Sequence, residues 1–522
     1  MSKPEKATRQ GHTDTESPAD ETAVPMPAGP PPKLRIDFPP VRSADEMAKK
    51  QRAAVKQEEI RDDMENDIPP VIRSVLELSH LMMSGHSRWL RGSPGYQGGL
   101  SHKGKPFCFA SGYRDSLRPL DIEDKGNHMK LKDPLVYGTL SLPITAAYLC
   151  DLHGRGIFDL QRPIVEYLPE LQGKLSEEVT ARSILSFTHG VEDADLLKDA
   201  GVHPWRSFCS PSLCVSTHTH LYEPINRFLA GGRTASSATA PALTGQRQRA
   251  NLVQYVCSSR RITHNFCRSL RRARVSHSSV ALLLAAVETQ LKGRSFEEEM
   301  KSGFFEKAQS YGAGYGVPTL WKNPNELFYQ PTGQALQHVK FRQPVPINSP
   351  LNCGPAVFNG SLNLYAPCED YGKLLLLSLD TIMDAREILG VPAQAGSSPY
   401  YDFGVRYIPS KKELQLTKSL LTPLDAIPAA SSFHYNCEQD LGCFGIASCG
   451  TRSARVFANN LSRMIHHLFV KHVLAKGLDP LKQVDLDNPT EQVEASDGEI
   501  QKVLKKQKFT SYFKKFDAHT RL

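Results

Sequence analysis

A serine followed three residues later by a lysine places both side chains on one face of a helix. There the lysine can take the hydroxyl proton, and the serine can attack an acyl carbon. This spacing occurs at Ser511 and Lys514, in a lysine-rich tail where it reads as a coincidence of composition. His466, His467 and His472 have the look of a metal cluster, but no carboxylate is suitably spaced beside them, so they read as a partly exposed helical face. Cys437, Cys443 and Cys449 fall at six-residue intervals that match no CxxC pattern. The 11 scattered cysteines read as free thiols in a reducing compartment. Gly312-Ala-Gly-Tyr-Gly316 lacks both the GxGxxG frame and a following Lys-Ser/Thr, so it reads as a loop and not a phosphate cradle. No metal and no cofactor is expected.

The elements that would position chemistry come from periodicity. Val71, Ile72, Val75, Leu76, Leu78 and Leu81 recur at helical spacing and predict a buried stripe over about 70–83. Lys103-Gly104-Lys105 reads as a turn before a strand at Phe107–Tyr113. Periodic leucines and alanines predict helices at about 141–155, 179–187 and 278–292. Tyr401–Ile408 and Gly442–Ala447 read as strands, and Val456–Ala475 as a long closing helix. Residues 230–276 differ from their surroundings: a low-complexity stretch leads into Arg247, Arg249, Arg260, Arg261, Arg268, Arg271, Arg272 and Arg274, with no acidic residue. That composition predicts a removable, mostly disordered surface insertion.

Within this frame, residues 137–171 resemble the start of the catalytic helix of the β-lactamase-related, penicillin-binding-protein-like serine hydrolases. That family includes class C β-lactamases, DD-peptidases, esterases and the mitochondrial β-lactamase-like protein. Gly156, Phe158-Asp159-Leu160, Pro163 and Tyr167-Leu168-Pro169 match the second half of its helix motif. Val179–Val191, Ser279–Met300 and Asn359–Leu374 resemble further family blocks in the same order. Phe433-His434-Tyr435-Asn436 falls where the family carries His-x-Gly or Lys-Thr-Gly. The resemblance covers roughly 67–475. It implies an α/β (α+β) fold of the β-lactamase/transpeptidase type, with an antiparallel sheet of five or more strands, flanking helices and an inserted helical subdomain.

The resemblance also says which residues should do the chemistry. It aligns Thr139 with the nucleophilic serine and Leu142 with the lysine base. Leucine can neither accept a proton nor stabilise one. Moving the register to Ser141 puts Ile144 at the base position. Val275 and His277 align with the tyrosine and asparagine of the second motif; Tyr222 is an alternative tyrosine, but Pro224 then stands at the asparagine place. In the third motif His434 survives, while Asn436 replaces the small glycine. Acyl-transfer residues act as a unit, so the expectation is a pseudoenzyme serving as scaffold or binding module. The alternative is a divergent esterase or peptidase using a remaining hydroxyl such as Thr139, with His434 as base.

Composition limits the rest. A net charge of +8 on 522 residues is mild and does not indicate a nucleic-acid binder. The longest apolar runs, such as Val280–Val287 and Leu374–Leu377, are too short to span a bilayer, and the N-terminus reads as neither signal nor transit peptide. An intracellular, cytoplasmic protein is expected, with mitochondria left open. Residues 1–42 read as a disordered tail and 43–66 as a polar helix. The domain runs over 67–475, and 476–522 forms a linker and basic amphipathic tail able to touch a partner or an anionic membrane surface. A protein partner or self-association is expected, of unstated identity.

Overall fold

The computed structural model describes most of residues 68–79, together with 95–112, 128–191, 244–258, 275–316, 329–331, 344–346, 356–390, 399–417, 430–447 and 452–478. The expected N-terminal tail, the polar helix and the basic C-terminal tail lie outside the described residues, as do Leu78, Leu81, Tyr222 and the Ser511–Lys514 pair.

β1 (Gly95–His102) and β2 (Lys105–Gly112) form a hairpin. Its two-residue turn, Lys103-Gly104, has φ of 50° and 75°, the left-handed geometry that matches strand twist. Seven antiparallel strands follow the order β2-β1-β12-β11-β10-β9-β8. The later ones are β8 (Tyr400–Asp402), β9 (Val405–Ile408), β10 (Glu413–Thr417), β11 (Ala430–Asn436) and β12 (Leu441–Ala447). The C-terminal strand β12 therefore sits between the N-terminal hairpin and β11. A small sheet joins β3 (Leu135–Val136), β7 (Leu364–Ala366) and β4 (Gly314–Tyr315), and β5 (Tyr329–Pro331) pairs with β6 (Pro344–Pro346).

The helices are α1 (Ser141–Gly154), α2 (Ile164–Tyr167), α3 (Ala181–Leu185), α4 (Gly245–Ser258), α5 (His277–Glu288), α6 (Phe296–Glu299, running on to Phe305), α7 (Cys368–Leu389) and α8 (Arg452–His472). Pro143 is tolerated in α1 because it lies in the first turn, whose N–H groups have no helical partner. Acidic Glu369 and Asp370 favour the start of α7, and Gly390 at φ 71° ends it.

Side chains alternate across the large sheet. Phe433, Tyr435, Phe444 and Ile446 join the core built with α1 and α7. Ala430, Leu441, Cys443 and Ala447 join the opposite core, with Phe457, Leu461, Met464 and Phe469 of α8 and with Val71, Ile72, Val75 and Leu76. The chain thus has an α/β layout with helices on both faces of an antiparallel sheet.

Two expectations are corrected. Tyr401–Ile408 is not one strand but the hairpin β8–β9, turned at Phe403 and Gly404, whose φ values are 48° and 75°. Nor is all of 230–276 a surface insertion: within it, α4 is structural. Its Leu252, Val253 and Val256 are buried, and Arg249 is fully buried. Arg249 donates Nε and Nη2 to Glu288 and both Nη1 and Nη2 to Glu297, at 2.5–3.1 Å. Asn359 donates to Glu297 in turn. A segment whose own charges are all basic takes its carboxylates from 39 and 48 residues downstream, which is why local composition misrepresents it.

Candidate functional site

Thr139 lies in a short 3-10 turn, Gly138–Leu140, that runs directly into α1. Gly138 at φ 63° makes the approach to this turn possible. Neighbouring strands pin it on two sides. The Tyr137 amide donates to the Leu364 carbonyl of β7 at 2.8 Å, and Ser431 of β11 donates its hydroxyl to the Tyr137 carbonyl at 2.7 Å. Ser141 donates to the Gly138 carbonyl at 2.6 Å and accepts from the Leu364 amide at 3.2 Å. Its hydroxyl is therefore committed to holding the turn.

The Thr139 residue is 2% exposed, and its Oγ1 is sealed from water with no hydrogen-bond partner among the described residues. Such an orphan costs about 1–3 kcal/mol. Leu142, one turn along α1, is fully buried. Backbone covers it: a Cβ on Gly404 would lie 3.2 Å from Leu142 Cβ and carbonyl carbon. The β8–β9 turn is thus pressed onto Leu142, the residue that the resemblance aligns with the family's lysine.

A charged clamp holds that turn. The Gly404 amide donates to the Leu185 carbonyl at 2.8 Å. Asp402, fully buried, accepts from Arg182 at 3.2 Å and from Ser186 at 3.1 Å, and Arg386 stands 3.6 Å away. Burial pushes the Asp402 carboxyl up, against the pull of Arg182, Ser186 and Arg386. Arg182 also donates to the carbonyls of Leu389 and Gly390. Hairpin, α3 and the end of α7 are locked together over Leu142. Sequence reasoning missed Arg182, Asp402 and Gly404; the available signal was a glycine inside a strand pattern, which marks a turn or a close backbone approach.

The second-motif positions sit at the start of α5. Ser276 caps this helix, accepting from the Ser279 amide at 3.2 Å. Val275 and His277 flank the cap, both buried, with the His277 ring packed against Phe358 at 6.2 Å. Val275 carries no exchangeable proton on its side chain.

The structure does not bring His434 to Thr139. Ser431, which touches the turn before Thr139, and His434 are three residues apart on β11 and so face opposite sides of the sheet. The His434 ring meets His466 of α8 at 4.5 Å. Asn436 caps the β11–β12 turn, accepting from the amides of Glu438 and Gln439 at 3.0 Å.

A family model described as Beta-lactamase matches residues 88–406, a span that ends before β10, β11 and α8. The chain is similar to a solved octameric penicillin-binding protein homologue from Pyrococcus abyssi: 15% identity, TM-score 0.48, covering 77% of this chain and 78% of that one. It is similar to a penicillin binding protein from Bacillus halodurans at 14% identity and TM-score 0.49, covering 75% and 100%. A β-lactamase from Sulfitobacter sp. EE-36 gives 13% identity and TM-score 0.48, covering 77% and 99%. No curated protein matches. With more than half of its length matched by the family model, the chain belongs to the β-lactamase family.

Proposed function

We propose that this chain is a β-lactamase-family protein without the family's acyl-transfer chemistry, acting as a scaffold or binding module. The observation that carries this reading is Leu142, fully buried beneath the backbone of Gly404 at the position aligned with the base. A hydroxyl nucleophile needs a base within hydrogen-bond reach, and the Thr139 hydroxyl has no hydrogen-bond partner among the described residues. The alternative, Thr139 with His434 as base, is disfavoured because the sheet lies between the two side chains. A protein partner or self-association and an intracellular location belong to the same proposal. No described helix is long and apolar enough to cross a membrane.

The test is catalytic. Purified protein is expected to hydrolyse a chromogenic β-lactam and a p-nitrophenyl ester no faster than a heat-killed control. Intact-mass measurement after incubation with either is expected to show no acyl adduct. Turnover that disappears in Thr139→Ala would overturn the reading.

A further inference from the structure

The seam between β11 and α8, on the sheet face away from Thr139, holds a pair of imidazoles, His434 buried and His466 partly buried. His434 is 7% exposed, and its ring meets that of His466 at 78°. The Gln415 amide donates to His434 Nδ1 at 3.1 Å, so the ring proton sits on Nε2, 3.6 Å from Glu413 Oε1. His466 Nε2 is sealed from water without a hydrogen-bond partner among the described residues. The groups facing the pair come from four elements. Glu413 and Gln415 lie on β10, just after Lys411. Ser432 and Asn436 share the His434 face of β11, and Cys443 stands opposite on β12. Asn459, Ser462, Arg463 and His467 come from α8. Glu413 is the acid among these, against the cations Lys411 and Arg463.

The rest of the seam is weakly held. Ser432 and Asn459 approach at 3.5 Å, and Ser462 and Ser432 at 3.4 Å, both at the long limit of a hydrogen bond. Over β1 and β12 the contact is apolar and close: a Cβ on Gly98 or Gly445 would lie 3.1–3.2 Å from Leu461. Helix α8 is therefore anchored along one side by packing and along the other by neutral polar contacts.

We propose that the His434–His466 pair is an acid-sensitive latch, whose protonation places two like charges in the seam and lifts the β11 side of α8 from the sheet. Burial drives His466 down to about 4, with His467 adding. Burial likewise drives His434 down to about 3, with His466, Arg463 and Lys411 adding, against the opposite pull of Glu413, 3.6 Å from Nε2. The sign follows from linkage. A depressed histidine keeps the closed seam stable above the ordinary value of 6.5, and that stability is lost as pH falls towards 4 and then 3. Opening becomes about tenfold easier per pH unit for each histidine that is neutral when closed and charged when open.

Hydrogen exchange on the full chain between pH 7 and 4, corrected for intrinsic rates, tests this. The expected result is a reversible loss of protection confined to α8, β10 and β11, with α1 and α7 unchanged. In His434→Gln/His466→Gln the loss should vanish, and each single variant should halve the dependence on pH. Uniform opening of all amides, or an unchanged slope in the double variant, would overturn the latch. If the double variant does not fold, the regional or uniform pattern in the wild-type chain decides.

Discussion

Arg249→Met is expected to lower the unfolding free energy by about 3–5 kcal/mol, read as a shift in the urea midpoint with unchanged slope. Methionine fills a similar volume, so the loss measures charge and not a cavity. What remains is Glu288, which is 9% exposed, beside a largely buried Glu297, with no cation between them. Burial alone would push the Glu297 carboxyl up, but its hydrogen bonds to Arg249 and Asn359 hold it below the ordinary carboxylate range. That stabilisation is present above the ordinary value of 4.5 and is lost as pH falls towards the lowered one. Arg249→Met should therefore be less damaging at low pH, where Glu297 is protonated in any case. Arg249→Lys is expected to recover only part of the loss, because an ammonium cannot reproduce two bidentate contacts. A variant as stable as wild type would mean that α4 is not part of the fold, and that 230–276 is dispensable after all.

The same arginine shows where sequence reading reaches and where it stops. Apolar periodicity locates α1, α5 and α8 to within a few residues, because their buried stripes are encoded locally. The Lys103-Gly104 turn is legible for the same reason: two left-handed residues between strands leave a local mark. Arg249 is illegible because its partners are tertiary. Local composition shows nine arginines and no acid across 230–276, and nothing within the segment says that one of them is buried. His434 fails differently. Its position in the chain resembles a family motif, but a strand offers two faces, and the helix that packs on each is settled only by the sheet order. Position along the sequence placed it beside Thr139; pleat parity places it beside His466. Gly404 is the intermediate case, since a glycine within Tyr401–Ile408 signals a turn but not what the turn covers.

That covering contact sets up the second large effect. Leu142→Lys is expected to destabilise the chain by about 3 kcal/mol or more, and Thr139→Ser/Leu142→Lys is expected to hydrolyse no ester. Leu142 is fully buried, with Gly404 close against its backbone and Cβ, and lysine adds one heavy atom and a longer reach to that packed site. Overpacking of this kind costs about 1–3 kcal/mol, and an ammonium taken out of water without a partner costs several more unless it sheds its proton. Asp402, the acid of the β8–β9 hairpin that covers this site, is already engaged by Arg182, Ser186 and Arg386. A lysine there has two outlets. It stays charged and forces the β8–β9 hairpin away from α1, or it loses its proton and remains as an overpacked amine. Limited proteolysis between Asp402 and Val405 separates these, since only the first exposes the turn. Neither outlet restores catalysis, because Val275 occupies the position aligned with the tyrosine and carries no proton to relay. The paired measurement is a melt of Leu142→Lys beside an esterase assay of the double variant. An unchanged melt with regained turnover would mean that a working cleft persists beneath Gly404, and the scaffold reading would then fall.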